Sequence, residues 1–228
     1  MRFAVSKVQG LVSGSASRRL SGGRRAAFGF ALAVLGLTGI ALPAAAQTLA
    51  SLPAEAGARV QGDARPIAAW VTFCQSYAAE CAVDRTEPSR ISLTPATWAT
   101  IVSVNRRVNK AVEPMTDQDH LHVADRWDLA EDGIGDCEDF QLLKRHLLAE
   151  AGLPRRAMRM TVVIDEKGEG HAVLTLVTDR GDLVLDNKTN AILPWHRTGY
   201  VFIKRESQDA VAWVSLGGVT SPVTTANR

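Results

Sequence analysis

The fold of this 228-residue chain is best predicted from one segment, Gly133-Ile-Gly-Asp-Cys137-Glu-Asp-Phe-Gln-Leu-Leu-Lys-Arg-His-Leu-Leu-Ala-Glu-Ala151-Gly152. Glycines precede a helical pattern and Gly152 follows it, which marks both ends of a helix. An apolar stripe at helical spacing runs through the segment and comprises Phe140, Leu143, Leu147 and Ala151. The pattern predicts a helix that carries Cys137 at its N-terminus.

The elements around this helix predict an α+β domain. Upstream, Pro66–Ala78 has amphipathic helical spacing, and Thr94-Pro95 begins a second helix that runs to about Ala111. Residues 113–135 are read as a loop with one helical turn. Downstream, strands are predicted at 159–165, 171–178, 183–186 and 200–205. Helices followed by an antiparallel meander are typical of the α+β class.

The first 46 residues differ in composition from the rest. They hold six basic residues and no acidic one, and removing them leaves 20 basic and 24 acidic residues, a net charge of −4. An apolar run, Ala26–Leu42, follows Arg24-Arg25 and precedes the small-residue stretch Pro43-Ala44-Ala45-Ala46. This order predicts a cleaved signal peptide at 1–46 and export to the periplasm; a twin-arginine route and an uncleaved membrane anchor are the alternatives.

The rest of the chain is divided into three parts. Residues 47–65 are read as a flexible N-terminal arm, 66–215 as the folded domain and 216–228 as a C-terminal tail. The body has no basic stripe, so nucleic acid is not an expected partner.

The three cysteines are interpreted in the light of export. Cys74 and Cys81 form a local pair, and Cys137 stands alone. An oxidising compartment favours a disulfide within the pair and a reactive thiol at Cys137. Seven residues of unbroken helix span about 10.5 Å, whereas a disulfide needs Cα atoms within about 7 Å. The bridge therefore requires the first helix to end near Tyr77, and two free buried thiols remain the alternative.

Cys137, His171 and Asp186 form a candidate catalytic triad. A helix N-terminus favours a thiolate, histidine is a suitable base near neutral pH, and an aspartate can fix the tautomer of that histidine. His171 opens a predicted strand, and Asp186 closes the next one. Each residue taken alone is better explained by a structural role. Together, in the order Cys–34–His–15–Asp on helix, strand and strand, they predict a site.

The acidic residues beside Cys137 predict a cation site. Asp136, Glu138 and Asp139 place three carboxylates next to the thiol, and like charge raises a thiol pKa. A bound Ca²⁺ would relieve this, because closely spaced carboxylate oxygens suit that ion. In the alternative reading, Asp136 is a helix N-cap and the other two are first-turn acids.

Three motifs resemble those of the bacterial transglutaminase-like cysteine peptidases of the LapG-like kind. They are Gly135-Asp-Cys-Glu-Asp139, Gly168-Glu-Gly-His-Ala-Val-Leu174 and Val184-Leu-Asp-Asn187. The pairs Val104-Asn105 and Val108-Asn109, and the stretch Asp125-Arg-Trp127, are also similar. The resemblance covers roughly residues 66–215.

The resemblance implies a papain/transglutaminase-like fold with Cys137 as nucleophile, His171 as base and Asp186 as orienting residue. It implies calcium bound by the acids that flank the cysteine. It also implies a periplasmic protease, with a large surface adhesin as a possible protein substrate and a possible inner-membrane cyclic di-GMP receptor as regulator.

The sequence defines less well which groups form the oxyanion hole and which molecule accepts the acyl group from the enzyme. The backbone N–H of Cys137 is the first candidate oxyanion donor. Trp127 is the second, because transglutaminase-like sites often use such a residue, with a core-facing indole as the alternative. An acyltransferase or transglutaminase could use the same triad, and a non-catalytic binding module could keep the same fold.

Overall fold

The computed structural model describes residue 49 and residues 56–220. The predicted signal peptide and residues 221–228 lie outside the described residues. Within the described part of the chain, no helix is long and apolar enough to cross a membrane.

A seven-stranded antiparallel sheet forms one layer of the fold, with helices packed against it. The helices are α1 (Ala68–Ser76), α2 (Ala78–Cys81), α3 (Pro95–Ala111), α4 (Asp117–His120) and α5 (Cys137–Glu150). The strands are β1 (Gly62–Ala64), β2 (Glu113–Pro114), β3 (Ile134–Gly135), β4 (Met158–Ile164), β5 (Gly170–Thr178), β6 (Gly181–Leu185), β7 (Leu193–Pro194), β8 (Val201–Glu206) and β9 (Trp213–Thr220). The sheet has the order β1-β9-β8-β4-β5-β6-β7, while β2 and β3 form a separate parallel pair. The predicted α+β class is confirmed.

Local sequence signals fix the ends of the two long helices. At α3 the Thr94 hydroxyl accepts a hydrogen bond from the Thr97 backbone N–H, and Pro95 occupies the first helical turn. At α5 the Asp139 carboxylate accepts from the Asp136 N–H, which closes the first turn. At the other end Gly152 has a φ of 87°, a conformation that glycine adopts without steric cost.

The apolar stripe predicted for α5 matches only some of the residues that the helix buries. Phe140 is buried, but Leu143 and Leu147 are half-buried and Ala151 is exposed. The helix lies between α3 and strands β4 and β5, so several of its faces are covered. Its fully buried side chains are Leu142 and Leu148 together with the polar Gln141, Lys144 and Arg145. Arg145 pairs with Glu206 of β8 at 2.6 Å.

The predicted disulfide is present between Cys74 and Cys81, with a Cα–Cα distance of 5.5 Å. Helix α1 ends at Ser76, and Tyr77 leaves the helical conformation with φ −121° and ψ 57°. Helix α2 begins after this break and carries Cys81 back toward Cys74. The condition derived from helix geometry, an interruption near Tyr77, is therefore met.

The prediction of a flexible arm at 47–65 is wrong for the second half of that segment. Strand β1 pairs with β9 at the edge of the sheet, and the Ala58 N–H donates to the Asp182 carboxylate at 3.0 Å. A Cβ on Gly57 would lie 2.5 Å from the same carboxylate, so this close approach requires glycine. A three-residue edge strand without apolar alternation leaves no pattern in the sequence. Strand β9 likewise extends past 215, the boundary predicted for the domain.

Candidate active site

Cys137 lies in the first turn of α5, where the helix meets the start of β5. Its Sγ accepts a hydrogen bond from the Ala172 backbone N–H at 3.4 Å. Ala172 directly follows His171 in β5, so the thiol lies against the strand that carries the predicted base. The side chain is partly exposed, and it is the one free cysteine of the described chain.

His171 and Asp186 are in contact, as their strand positions predicted. His171 is the second residue of β5, and Asp186 directly follows β6, which pairs with β5 in antiparallel register. The His171 Nε2 lies 2.9 Å from the Asp186 Oδ1, and the two residues are 6% and 3% exposed. The structure thus places Cys137, His171 and Asp186 at one end of the sheet.

Asp186 has further partners beyond the predicted triad. The Tyr200 hydroxyl donates to Oδ2 at 2.6 Å, and the Lys188 backbone N–H donates to Oδ1 at 3.0 Å. The Asn109 side chain of α3 donates to the Asp186 backbone carbonyl at 2.9 Å. Asn109 had a signal, since Asn105 and Asn109 are four residues apart and lie on one helix face. Tyr200 had no such signal, because only the folding of the sheet brings its hydroxyl to Asp186.

These donors determine the charge of Asp186. Burial raises the pKa of a carboxyl group, but the hydrogen bonds from His171 and Tyr200 hold the Asp186 pKa below its usual value. The carboxylate is therefore ionised at neutral pH and can orient the imidazole.

The acids on the other side of Cys137 form a cluster larger than the predicted one. Carboxylate oxygens of Asp117, Asp125 and Glu138 lie within 4.8 Å of one another, and Asp136, Cys137 and Glu138 form a second such group. The Glu138 Oε2 accepts from the Cys137 thiol at 3.1 Å. The Asp136 Oδ1 is buried and has no hydrogen-bond partner. Asp117 and Asp125 were missed because Asp117 begins α4 and Asp125 lies on the loop after that helix, and only the fold brings this segment to Glu138.

Asp139, the third predicted ligand, has a different role. Its Oδ1 accepts from the Asp128 N–H at 2.8 Å, and its Oδ2 accepts from the Asp136 N–H at 3.2 Å. It belongs to neither group of clustered oxygens within the described residues. The structure therefore places Asp139 in the helix cap, as the alternative reading of this residue expected.

The cluster is electrostatically unfavourable for its own residues. Burial, followed by the charge of Asp136, raises the pKa of Glu138 to about 10. Burial raises the pKa of Asp139 to about 8. Burial and then the charge of Glu138 raise the pKa of the Cys137 thiol far above its usual value. The local field of these acids thus opposes the thiolate that a nucleophilic cysteine requires.

Trp127 lies in the hydrophobic core, where its ring meets Trp213 edge-on with centroids 6.3 Å apart. It is 5% exposed, and one side of it lines an open cavity of about 560 Å³ that also reaches Asp125 and Tyr77. The core-facing position agrees with the alternative reading of this residue. A role in the oxyanion hole stays a prediction.

A sequence profile of the bacterial transglutaminase-like cysteine proteinases matches residues 60–221. The chain belongs to this family. The family predicted from the sequence motifs is confirmed, and with it a cysteine peptidase of transglutaminase-like fold. The matched range also includes β1 and β9, which the predicted domain left out in whole or in part.

Solved structures of LapG from Legionella pneumophila are similar to this chain. Against the calcium-bound form, the identity is 24%, the TM-score is 0.46, and the match covers 54% of this chain and 70% of the other. A second LapG structure is 23% identical, with a TM-score of 0.45 and coverage of 57% and 75%. An EGTA-treated form is 25% identical, with a TM-score of 0.41 and coverage of 47% and 62%. No curated protein sequence matches the chain.

Proposed function

We propose that this family member is a calcium-dependent, exported protease in which Cys137 is the nucleophile, His171 the base and Asp186 the orienting residue. One observation carries the assignment. The Cys137 thiol packs on the β5 backbone next to His171, and the Nε2 of His171 is fixed by Asp186. Nucleophile, base and orienting group are thus supplied by a helix start and two adjacent strands.

The contact between His171 and Asp186 supports the following proton transfer. Asp186 engages the Nε2 of His171, which leaves Nδ1 to take the proton of the Cys137 thiol. The thiolate adds to the scissile carbonyl carbon, and the backbone N–H groups at the start of α5 stabilise the resulting oxyanion. His171 then protonates the leaving amine, so that the C–N bond breaks and a thioester remains. Water, deprotonated by His171, hydrolyses the thioester and restores the thiol.

The acidic cluster fits a divalent cation. Asp136 has an unpartnered buried oxygen, and Glu138, Asp117 and Asp125 supply further carboxylates within 4.8 Å of one another. Hard oxygen donors at this spacing suit Ca²⁺. A bound cation reverses the sign of the local field, which lowers the pKa of a neighbouring thiol. Asp136 and Glu138 would hold the ion together with Asp117 and Asp125, while Asp139 remains in the helix cap.

The substrate and the compartment belong to the same proposal. The segment at 1–46 has the composition of a secretory signal, so the mature enzyme acts in the periplasm. Its substrate is a protein, and the N-terminal region of a large surface adhesin is the first candidate, with an inner-membrane cyclic di-GMP receptor as regulator. The motifs at Cys137, His171 and Asp186 support this by their resemblance to the LapG-like enzymes.

The test is cleavage of purified adhesin fragments by the mature protein and by Cys137→Ala, each with added Ca²⁺. We expect defined fragments from the wild type and none from the variant, because removal of the nucleophile of such a unit reduces kcat by about six orders of magnitude. Iodoacetamide should label Cys137 and abolish cleavage. Equal cleavage by Cys137→Ala would exclude the thiol mechanism. A fluorescent primary amine added to the reaction distinguishes hydrolysis from acyl transfer, because only acyl transfer attaches it to the product.

A further inference from the structure

Tyr200 is a buried tyrosine that joins the site from a third part of the sheet. It directly precedes β8 and is 6% exposed. Its hydroxyl donates to the Asp186 Oδ2 at 2.6 Å, and its ring meets the His171 ring edge-on with centroids 5.8 Å apart. One side chain therefore contacts both the orienting residue and the base.

We propose that Tyr200 is a positioning residue, whose hydroxyl fixes the Asp186 carboxylate and whose ring fixes the plane of the His171 imidazole. This inference rests on the proposed function, because it concerns the geometry of the same triad. Tyr200 is not assigned a contact with the substrate. It acts through Asp186 and His171.

The hydrogen bonds of Asp186 explain why a third donor matters. Its Oδ1 accepts from the His171 Nε2 and from the Lys188 backbone N–H, and its Oδ2 accepts from Tyr200. With donors on both oxygens, the carboxylate cannot rotate about its Cβ–Cγ bond without breaking a hydrogen bond. Without the Tyr200 hydroxyl, Oδ2 would be a buried charged oxygen lacking that donor, and other orientations of the group would compete.

Tyr200 is itself held firmly enough to act in this way. Its ring packs in a small core cluster with Val163 and Phe202. The Nζ of Lys188 lies 5.9 Å from the ring centroid and also pairs with Asp165 in the turn before β5. Burial, and then the hydrogen bond to Asp186, raise the pKa of the Tyr200 hydroxyl. The hydroxyl therefore stays protonated and remains a donor over the working range of an enzyme.

A consequence for the imidazole tautomer follows from these contacts. A fixed carboxylate at Nε2 keeps the proton on Nε2 and leaves Nδ1 unprotonated, which is the form that can accept the thiol proton. If the carboxylate turns away, the Nδ1–H tautomer becomes populated, and that form cannot act as the base. The expected loss is therefore in kcat and not in substrate binding.

The test is Tyr200→Phe, which removes the hydroxyl and keeps the ring. Tyr77→Phe is the matched control, since Tyr77 is the only other tyrosine of the chain and stacks on Phe73. We expect Tyr200→Phe to lower kcat roughly ten- to hundredfold, the range for loss of a hydrogen bond to a charged group, with KM within about twofold. Tyr77→Phe should leave both constants unchanged. An unchanged kcat in Tyr200→Phe, or a loss confined to KM, would overturn the proposal.

A second measurement needs no substrate and so separates this proposal from the proposed function. In the Cys137→Ala protein, ¹⁵N spectra of the His171 imidazole should show the Nε2–H tautomer. In Cys137→Ala/Tyr200→Phe they should show a mixture of tautomers. If Cys137→Ala/Tyr200→Phe does not fold, Cys137→Ala alone still tests the proposal. A dominant Nδ1–H tautomer in that variant, which keeps Tyr200, would contradict the proposed geometry. Failure of the wild type to cleave any protein would instead count against the proposed function, and the tautomer readout would still test the role of Tyr200.

Discussion

On one side of Cys137 lie His171 and Asp186, and on the other lie Asp136 and Glu138. The two sides contain buried acids, yet the pKa of Asp186 is lowered while that of Glu138 is raised to about 10. Burial opposes the charged form of both groups, and the difference lies in their partners. Asp186 receives hydrogen bonds from His171, Tyr200 and Lys188. Glu138 instead lies beside the charge of Asp136, which itself keeps a buried oxygen without a hydrogen-bond partner.

In the proposed enzyme the protein itself completes the triad side, and a bound cation would complete the acidic side. A buried carboxylate without compensation is costly, and a protein compensates it with donors, by protonation or with a metal. Each of the next predictions alters either the calcium ligands or the triad and measures whether the properties of the other group change.

Calcium removal should have the largest effect. Excess EGTA should abolish detectable cleavage, and Ca²⁺ should restore it better than Mg²⁺, whose coordination geometry is stricter. Saturating Ca²⁺ at 100 times its Kd should stabilise the folded protein by about 2.7 kcal/mol, measured as a rise in Tm.

The matched variants for this test both lie on α5. Glu138→Gln should lose calcium binding in calorimetry. It should also raise the Tm of the calcium-free protein at neutral pH, because a neutral amide avoids the free-energy cost of protonating a buried carboxyl group whose pKa is raised to about 10. Glu150→Gln, at the exposed end of the same helix, should change neither. Full cleavage in excess EGTA would mean that these acids serve only as helix caps.

The Asp186→Asn substitution should have the second-largest effect on cleavage. The amide removes the negative charge and can present an N–H to His171, so we expect kcat to fall about 10⁴-fold, as for the same change in other triads. Calcium affinity should be unaffected, because Asp186 belongs to the triad side. The surface variant Asp209→Asn is the control. A parallel loss of calcium binding in Asp186→Asn would show that the two sides are one coupled unit.

Lys144, a buried lysine of α5, makes the stability of the protein depend on pH. It is fully buried, its Nζ donates to the Gln141 Oε1 at 3.2 Å, and burial lowers its pKa to about 7 although the charge of Asp186 opposes this. Between pH 7 and 10.5 the unfolded chain holds a proton at this residue that the folded protein does not, so stability rises with pH in that window.

Lys144→Met should therefore stabilise the protein below pH 7, and the gain should disappear as the pH rises toward 10.5. The full pKa difference sets an upper limit of roughly 5 kcal/mol on this gain. Denaturant unfolding from pH 6 to pH 10 measures it, with the exposed Lys167→Met as control. A variant less stable than the wild type at pH 6 would show that the ammonium group has partners that outweigh its burial.

Reduction of the Cys74–Cys81 disulfide should have the smallest effect and should spare both sides of the site. A short loop predicts a loss of about 2–3 kcal/mol in the free energy of unfolding. The Cys74→Ser/Cys81→Ser variant should unfold at lower denaturant concentration and keep its calcium affinity and its kcat. A lower kcat in this variant would link α1 and α2 to the site.

The elements that could be predicted from sequence are those with a local cause. Thr94 and Pro95 begin α3 as expected, Gly152 follows the end of α5, and the break at Tyr77 brings Cys74 and Cys81 together. Each depends on residues that are neighbours in the chain. The edge strand β1 had no such signal, because its hydrogen bonds go to β9, about 150 residues away.

The sequence alone determined the family, the position of Cys137 at a helix start and the pairing of His171 with Asp186 on neighbouring strands. These follow from motifs and from the regular geometry of helices and strands. Only the tertiary structure decided that Asp117 and Asp125 join Glu138, that Asp139 caps α5, and that Tyr200 donates to Asp186. A hydrogen bond or a shared charge cluster requires atoms within a few ångströms, and for residues far apart in the chain that distance is set by the packing of the whole domain.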